Sequence, residues 1–259
     1  MRERISAPLP TMSLRLPATI FRIHRWLGWL IGLQVLIWVT GGVVFSLVPF
    51  NPWVKGGDTV KPPPVVLPAG WAERVAPALQ TAAQLGDVAA VAAVATPQGP
   101  ALRLTYRAGP KPVIVPADGT AWTPPNEAAL QRFGAGLYQG QATVTALERV
   151  AQVPRRLGIV AETAGRGDLW RLRFDDALAT RIYLDGRTGE FVTSRNEAWV
   201  WYDFFWRLHI MDYADGEDFN GTLLRVASLA GWALVIAGAV LAALAARRRW
   251  RVWRKPARR

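Results

Sequence analysis

The sequence contains no cysteine and only two histidines among 259 residues. The lack of cysteine excludes disulfide bonds, thiolate zinc sites, Cys-ligated iron–sulfur clusters and thiol nucleophiles. With two histidines, a closed structural zinc site built on imidazoles is not expected either. A disordered chain is excluded by the hydrophobic fraction of 51%, because that much apolar surface does not stay in water.

Acidic residues are fewer than basic ones, 19 against 31, which gives a net charge of +12. This excess lies entirely in the two tails. Residues 1–25 contain five Arg and one Glu, residues 247–259 contain seven Arg and one Lys, and the rest of the chain is neutral overall. A nucleic-acid-binding domain would carry such a charge on a folded face. We therefore expect no nucleic-acid partner.

Two long stretches lack any charged residue: 23 positions over residues 26–48 and 21 positions over residues 226–246. About 20 apolar residues span a bilayer as a helix. A buried core helix is the alternative for both stretches, and a cleaved signal peptide is an alternative for the first. The first stretch is longer than the roughly 7–15 residues of a signal-peptide apolar core. The sequence thus predicts transmembrane helices at 26–48 and 222–246.

Arginines flank the two spans at the chain ends. Arg22 and Arg25 precede the first span, and residues 247–249 follow the second. Because positively charged flanks remain in the cytoplasm, both termini are predicted to be cytoplasmic and residues 49–225 periplasmic in a bacterial inner membrane. The bilayer is the first expected partner, since the basic tails are also attracted to anionic lipid.

The region between the spans predicts an α+β domain. Residues 49–70 are rich in Pro and Gly and indicate an extended linker. Helices are predicted at 71–85, 126–138 and 143–151, and short strands at 88–95, 101–107, 113–115, 169–174, 180–184 and 190–193. The predicted fold class is membrane-anchored α+β, with two transmembrane helices flanking an extracytoplasmic helix-on-antiparallel-sheet domain. The segments are a basic N-terminus at 1–25, the domain at 71–195, an interfacial aromatic helix with an acidic loop at 196–221, and a basic tail at 247–259.

No catalytic constellation is visible in this domain. A Ser-His-Asp triad needs a histidine, and none precedes His209 there. Asp175 and Asp176 are neighbours, which on a strand point to opposite faces, so a turn is the favoured role. No Gly-rich phosphate loop lies between a strand and a helix. We expect no catalytic residue of these classes.

His24 lies at the cytoplasmic end of the first predicted span. Gly28 and Gly32 follow at four and eight positions and share its helix face, which leaves room for a flat ligand or a partner helix. Arg22 and Arg25 could bind haem propionates, because arginine pairs well with carboxylates. The alternative is an interfacial histidine beside lipid headgroups, flanked by arginines that only set the topology.

His209 lies on a helix predicted from about Glu197 to Asp212, capped by Asn196. Asp203 and Arg207 are spaced to form an ion pair. Asp212 could orient the imidazole, and Met211 is an alternative axial ligand. The competing interpretation is an aromatic helix on the membrane surface with a solvated histidine. The acidic stretch 212–218 lacks EF-hand spacing and favours a solvated loop.

Four ordered segments resemble the PepSY-associated transmembrane family. They are HRWLGWLIGLQVLIWVTGGVVFSL (24–47), YLDGRTGEFV (183–192), WYDFFWRLHIMDY (201–213) and DFNGTLLR (218–225). The stretches 72–123 and 143–195 resemble PepSY-type α+β units. Some larger relatives in that family are ferric-siderophore reductases, which look like di-haem proteins that carry electrons outward through a four-helix membrane core. The resemblance implies a PepSY-like domain here and assigns the motif histidines to His24 and His209.

The resemblance implies haem b as cofactor, with His24 and His209 as its iron ligands. Arg22, Arg25, Arg207 and Arg225 would then pair with propionates. About 30 Å of bilayer separates the two histidines, so each haem needs a second chain. A symmetric homodimer supplies this pairing, and a partner membrane subunit is the other option. The donor would be a quinol or another protein, and the acceptor ferric iron or a siderophore in the periplasm.

A second hypothesis places the chain in another class. PepSY units in relatives are thought to restrain peptidases or to assist the assembly of envelope proteins. The chain would then be a non-enzymatic, membrane-anchored binding module without haem. The sequence leaves open whether the protein is a haem-dependent reductase, an electron-transfer subunit or such a module.

Overall fold

The computed structural model describes residues 16–56 and 59–253, so much of both basic tails lies outside the described residues. The chain divides into two compact units. We call the first the helix unit; it contains the chain up to Gly42, Leu208–Asp212 and the chain from Glu217 onward. We call the second the sheet unit; it contains Val43–Arg207 and Tyr213–Gly216.

Two helices of 32 residues each, α1 (Leu16–Leu47) and α5 (Thr222–Trp253), form most of the helix unit. They run antiparallel, because His24 contacts Gly238 on α5 while Ile31 and Trp38 contact Gly231. Large side chains of α1 thus lie against glycines of α5. The antiparallel arrangement puts the arginines before the first span at the same end of the pair as the arginines after the second.

Both helices are long and apolar enough to cross a membrane. Each extends beyond its predicted apolar run, α1 at its N-terminal end and α5 at its C-terminal end. Only 11% of the most apolar window of α1 and 6% of that of α5 is buried within the protein. A core helix of a soluble domain would be mostly covered by protein, so this exposure argues against the core-helix alternative.

The first half of the sheet unit is a helix on a three-stranded antiparallel sheet. Helix α2 (Trp71–Ala83) keeps helical geometry through Pro77. Strands β1 (Val88–Thr96), β2 (Gly99–Tyr106) and β3 (Val113–Pro116) pair in that order. Val75 of α2 is fully buried against Leu102 and Leu104 of β2. These strands match the predicted ones to within two residues at each end.

The second half repeats this arrangement with one more strand. Helix α3 (Glu127–Leu137) precedes strands β4 (Val144–Val150), β5 (Leu169–Phe174), β6 (Arg181–Asp185) and β7 (Phe191–Arg195). The strands pair antiparallel in sequence order, so β7 is an edge strand. Leu130 and Leu137 of α3 pack with Leu172, Ile182 and Leu184 of the sheet, and all five are buried.

The predicted helix at 143–151 is wrong, because this segment is strand β4. Its residues include the β-branched Thr143, Val144, Thr145 and Val150, which favour a pleated strand. It pairs with β5 from Val144 opposite Phe174 to Val150 opposite Leu169. The helix that precedes this sheet is α3, Glu127–Leu137, which lies before the stretch 143–195.

The predicted extended linker at 49–70 is partly wrong. Residues Phe50–Val54 form a π-helical turn directly after α1. Val60 then makes an isolated antiparallel bridge with Tyr138, just after α3. The remaining described residues up to 68 lack regular structure. Proline and glycine indicated the irregularity, but they did not indicate that the segment is bound to the sheet unit.

Helix α4 spans Glu197–Ile210 and ends two residues before the predicted end. The Asn196 side chain accepts a hydrogen bond from the Trp199 N–H at 2.7 Å, which confirms the predicted cap. The same side chain donates to the Trp53 carbonyl at 2.7 Å. The predicted ion pair is also present, with Arg207 Nε 2.6 Å from Asp203 Oδ2. Met211, with φ of 55°, ends the helix.

The contact of Gly134 with the sheet yields a first prediction. A Cβ at Gly134 would overlap the methyl groups of the buried Leu172, whereas a Cβ at Gly136 on the same helix meets nothing within 4 Å. Gly134→Ala should lower the free energy of unfolding by about 1–3 kcal/mol through overpacking. Gly136→Ala should raise it by at most about 1 kcal/mol through helix propensity. Urea unfolding of the full chain in detergent measures both, and equal effects would contradict this packing.

Candidate functional site

The imidazole of His24 is held by α5. Its Nδ1 lies 3.1 Å from the backbone carbonyl oxygen of Leu234. Its Cε1 faces Gly238, where a Cβ would approach it to 3.0 Å. Gly28 also faces Leu234, while nothing lies within 4 Å of a Cβ at Gly32. The predicted common face of His24 and Gly28 is therefore directed toward α5 of the same chain.

The Leu234 carbonyl determines the tautomer of His24. A carbonyl oxygen can only accept a hydrogen bond, so Nδ1 carries the hydrogen when the bond forms. In the neutral ring, Nε2 then has the free lone pair. Metal-bound histidines usually donate their other ring N–H to a carbonyl or carboxylate, which orients the ring. The hydrogen bond therefore orients the imidazole of His24 and leaves the lone pair of Nε2 unused by this contact.

His209 also belongs to the helix unit, but it lies at a different height along α1 from His24. We call these two heights the His24 level and the His209 level. Its backbone carbonyl accepts a hydrogen bond from Trp38 Nε1 at 2.8 Å, and the two rings lie 6.4 Å apart. The side chain is partly buried and its Nδ1 atom is covered. Trp38 follows His24 by fourteen residues on α1, a rise of roughly 21 Å. The two histidines are therefore at separate levels, as predicted, although closer than a full bilayer thickness.

The four predicted propionate partners differ in their surroundings. Arg22, Arg25 and Arg225 are exposed, and Arg25 lies over the Phe21 ring at 5.9 Å. Arg207 is 3% exposed. Besides its ion pair with Asp203, it donates to the carbonyls of Ala214 at 3.0 Å and Asp215 at 2.9 Å. Its guanidinium thus holds the segment after α4 in place and is less available to a ligand than the other three.

The acidic stretch 212–218 forms a closed loop. Asp212 Oδ2 accepts hydrogen bonds from the backbone N–H groups of Glu217 and Asp218, both at 3.0 Å. Within residues 16–56 and 59–253, no group of three or more His, Asp or Glu side chains is arranged to hold a metal ion. Residues 213–215, 217 and 218 are exposed, which agrees with the solvated loop predicted from the sequence.

A deeply buried ionisable cluster surrounds Glu162 in the sheet unit. Glu162 is 1% exposed and pairs with Arg181 Nη2 at 2.6 Å. The Tyr183 hydroxyl also donates to Glu162. Arg181 Nη1 bonds Glu197 at 2.7 Å, and Arg156 bonds Glu197 at 3.0 Å. Two carboxylates and two guanidinium groups balance each other, so the cluster is neutral.

The pKa values of this cluster are shifted by burial and pairing. Burial, together with the Glu162 carboxylate, raises the pKa of the Tyr183 hydroxyl to about 12. Burial alone would raise the pKa of Glu197, but the hydrogen bonds and charges of Arg156 and Arg181 bring it below its ordinary value. Such shifts occur at active sites and in structural ion-pair networks alike. Because the groups satisfy each other, we assign them to the stability of the domain.

Sequence reasoning missed several of these residues. Leu234 acts through its backbone, which no residue pattern reports. Gly231 and Gly238 are spaced seven apart on α5 and so share one helix face, a signal that could have indicated the surface facing α1. Glu162 lies in an irregular segment between β4 and β5. Its partners Arg181 and Tyr183 lie on β6, about twenty residues further along the chain. Only the fold brings these three together.

Comparison with known proteins adds no information about the surroundings of His24, His209 or Glu162. No family model, no curated protein and no solved structure matches the chain.

The Glu162 cluster yields a second prediction. Glu162→Gln removes the charge that compensates the buried Arg181, and breaking a buried pair costs about 3–5 kcal/mol of unfolding free energy. Glu148→Gln is the matched control, since Glu148 also pairs with two arginines, Arg171 and Arg173, but its side chain is 36% exposed. An exposed pair contributes about 1 kcal/mol or less. Thermal unfolding of the full chain should therefore show a much larger decrease for Glu162→Gln, and similar decreases would contradict a structural role for the cluster.

Proposed function

We propose that the protein is an inner-membrane PepSY-type haem-b protein that moves electrons to a periplasmic acceptor such as ferric iron or a siderophore. The observation that carries this proposal is the hydrogen bond between His24 Nδ1 and the Leu234 carbonyl at 3.1 Å. It leaves Nε2 as the ligand atom and fixes the ring orientation, which is how iron-bound histidines are normally supported. An interfacial histidine with only a solvent role would not require that support.

The proposed topology has both helices crossing the bilayer, with the chain ends in the cytoplasm. The antiparallel pairing of α1 and α5 puts the arginines of both spans at the same end. Arg22, Arg25 and the described arginines 247–249 are exposed there. Such a concentration of positive charge at one end of a helix pair favours the cytoplasmic side. Residues 49–225 would then lie in the periplasm.

At each of the two sites, the second histidine that would hold the haem would come from a second copy of this chain. Within one chain, the two histidines are separated by roughly 21 Å along α1, so they cannot bind one iron together. A two-fold axis pairs each residue with its own equivalent, so His24 would meet His24 and His209 would meet His209.

The bound haem would supply reversible one-electron redox chemistry at each level. The protein would contribute His24 and His209 as ligands, and Arg22 and Arg25 as propionate partners at the cytoplasmic level. Arg225 would serve at the other level, while Arg207 remains bonded to Asp203. A quinol or another protein would be the donor, because the sequence shows no nicotinamide or flavin motif.

Replacing the histidines yields the third prediction. The purified protein should contain about one low-spin haem b per chain, with sharp reduced α and β bands. His24→Gly and His209→Gly should each lose about half of this haem, because each substitution removes the ligands of only one of the two haems in the dimer. Added imidazole should restore the low-spin spectrum, which distinguishes a lost ligand from a damaged fold. Absorption spectra of the oxidised and dithionite-reduced protein in detergent measure this.

Two outcomes would overturn the haem proposal. One is a colourless wild-type protein after expression with haem supplied, which would favour the membrane-anchored PepSY module that binds a peptidase or an envelope protein. The other is full haem content in the double variant lacking both histidines. Unchanged membrane insertion of the variants is the control, because it separates loss of ligand from loss of the protein.

The fourth prediction tests the support of His24 without changing the ligand itself. A side chain introduced at Gly238 would press on the imidazole, since a Cβ added there would lie only 3.0 Å from His24 Cε1. Gly238→Val should therefore remove the haem of the His24 level and retain that of the His209 level. Gly42→Ala is the control, because nothing lies within 4 Å of a Cβ there. Equal spectra for the two variants would show that the His24–α5 contact does not prepare a ligand.

A further inference from the structure

A cavity of the sheet unit lies beside the edge strand β7. Its volume is about 670 Å³, and all five residues of β7 line it. The π-helical turn at 50–54 and helix α4 provide the other walls. This volume is within the roughly 300–1,000 Å³ of sites for small molecules. The cavity lies entirely within the sheet unit and involves neither histidine.

Aromatic side chains form much of the cavity wall. Phe50, Phe191, Trp199, Tyr202 and Trp206 all line it. Phe50 and Tyr202 contact each other with ring centroids 5.1 Å apart. An aromatic wall of this kind binds flat or branched apolar groups and shields them from water.

Two cations line the same cavity, and both lie over aromatic rings. The Arg195 guanidinium lies 4.1 Å from the Trp199 ring centroid, and Lys55 Nζ lies 5.3 Å from that of Phe50. Among the described residues, neither cation forms an ion pair with a carboxylate. Arg195 Nε is buried without a hydrogen-bond partner. Among the described residues, the guanidinium forms one hydrogen bond, from Nη1 to the Ser194 carbonyl at 2.8 Å.

The carboxylate that the described residues contribute to the cavity lining does not neutralise these cations. Asp203 lines the cavity, but its oxygen is 2.6 Å from Nε of the buried Arg207. That pair is neutral on its own. Burial of the Arg195 guanidinium lowers its pKa from the ordinary value, even though the more distant charges of Asp203 and Glu162 act in the opposite direction. A partly buried cation with an unused donor is stabilised by an anion from outside the protein.

We propose that this cavity binds a small amphipathic anion whose carboxylate contacts Arg195 and Lys55 and whose apolar body packs against the aromatic wall. The charge of the lining selects the anion, and the rings select the apolar body. The guanidinium donates to Ser194 through Nη1, and its Nη2 bonds no described residue, so Nη2 can donate a charge-assisted hydrogen bond to a carboxylate in the cavity. The headgroup of an anionic lipid offers similar chemistry, but the cavity volume suits a whole small molecule.

The fifth prediction uses 1-naphthoate as the probe and 1-naphthamide as its neutral isostere. The full-length protein is held in nanodiscs of zwitterionic phosphatidylcholine, and heats of binding are corrected with empty discs. Naphthoate should bind at least about tenfold more tightly than the amide, because a charge-assisted hydrogen bond replaces a neutral one. Arg195→Gln should remove that preference, and Arg195→Lys should restore part of it.

Matched variants keep the test decisive. Lys55→Gln, at an exposed position, should weaken naphthoate binding by about threefold, since an exposed charge contributes less. Arg149→Gln is the control: Arg149 also lies over a tryptophan, Trp170, at 5.9 Å, but it pairs with Asp168 and lies outside the cavity. Its naphthoate affinity should equal that of the wild type.

Three results would overturn the proposal. The first is equal affinity for naphthoate and naphthamide. The second is unchanged naphthoate affinity in both Arg195→Gln and Lys55→Gln. The third is loss of naphthoate binding in discs that contain phosphatidylglycerol, measured at a salt concentration that screens the surface potential. This last result would assign the cavity to a lipid headgroup.

Discussion

The packing of large α1 side chains against glycines of α5 is the constraint on which the helix unit depends. His24 lies against Gly238, and Trp38 and Ile31 lie against Gly231. In a bilayer no hydrophobic driving force would act between such helices, so side-chain fit and hydrogen bonds would hold the pair together. The hydrogen bond from His24 to the Leu234 carbonyl has two effects. It links α1 to α5, and it orients the imidazole ring. The same contact thus serves the fold and the proposed ligand.

The sheet unit depends on a different interaction, the buried contact of Arg181 with Glu162. This pair lies 2.6 Å apart with both side chains nearly inaccessible, and Arg181 continues to Glu197 at the start of α4. Asn196 caps the same helix and also binds the Trp53 carbonyl. Helix α4 therefore starts from a point fixed by charge and by hydrogen bonds. Its inner residues, Trp199, Tyr202 and Trp206, then form a stable wall for the cavity.

Local patterns were sufficient for the features that depend on neighbouring residues. Apolar length predicted both long helices, and short spacings predicted the Asn196 cap and the Asp203–Arg207 pair. The segment 143–151 was predicted wrongly because Ala146, Leu147 and Glu148 favour a helix locally, whereas pairing with β5 makes the segment a strand. The contact of His24 with Leu234 spans 210 positions. Contacts of that kind arise from the fold, and no local pattern in one sequence indicates them.

The arginines of the sheet unit show why the cavity is distinct from the rest of the surface. Arg181 and Arg207 are buried, and each has a carboxylate at 2.6 Å. Arg195 is partly buried as well, yet no described carboxylate pairs with it and its Nε is left without an acceptor. Contact with Trp199 compensates only part of the lost hydration, since a cation–π contact contributes about 0.5–2 kcal/mol. Arg181 and Arg207 are thus neutralised within the domain, whereas Arg195 has no such partner among the described residues. The anionic ligand that we propose for the cavity would provide that missing partner.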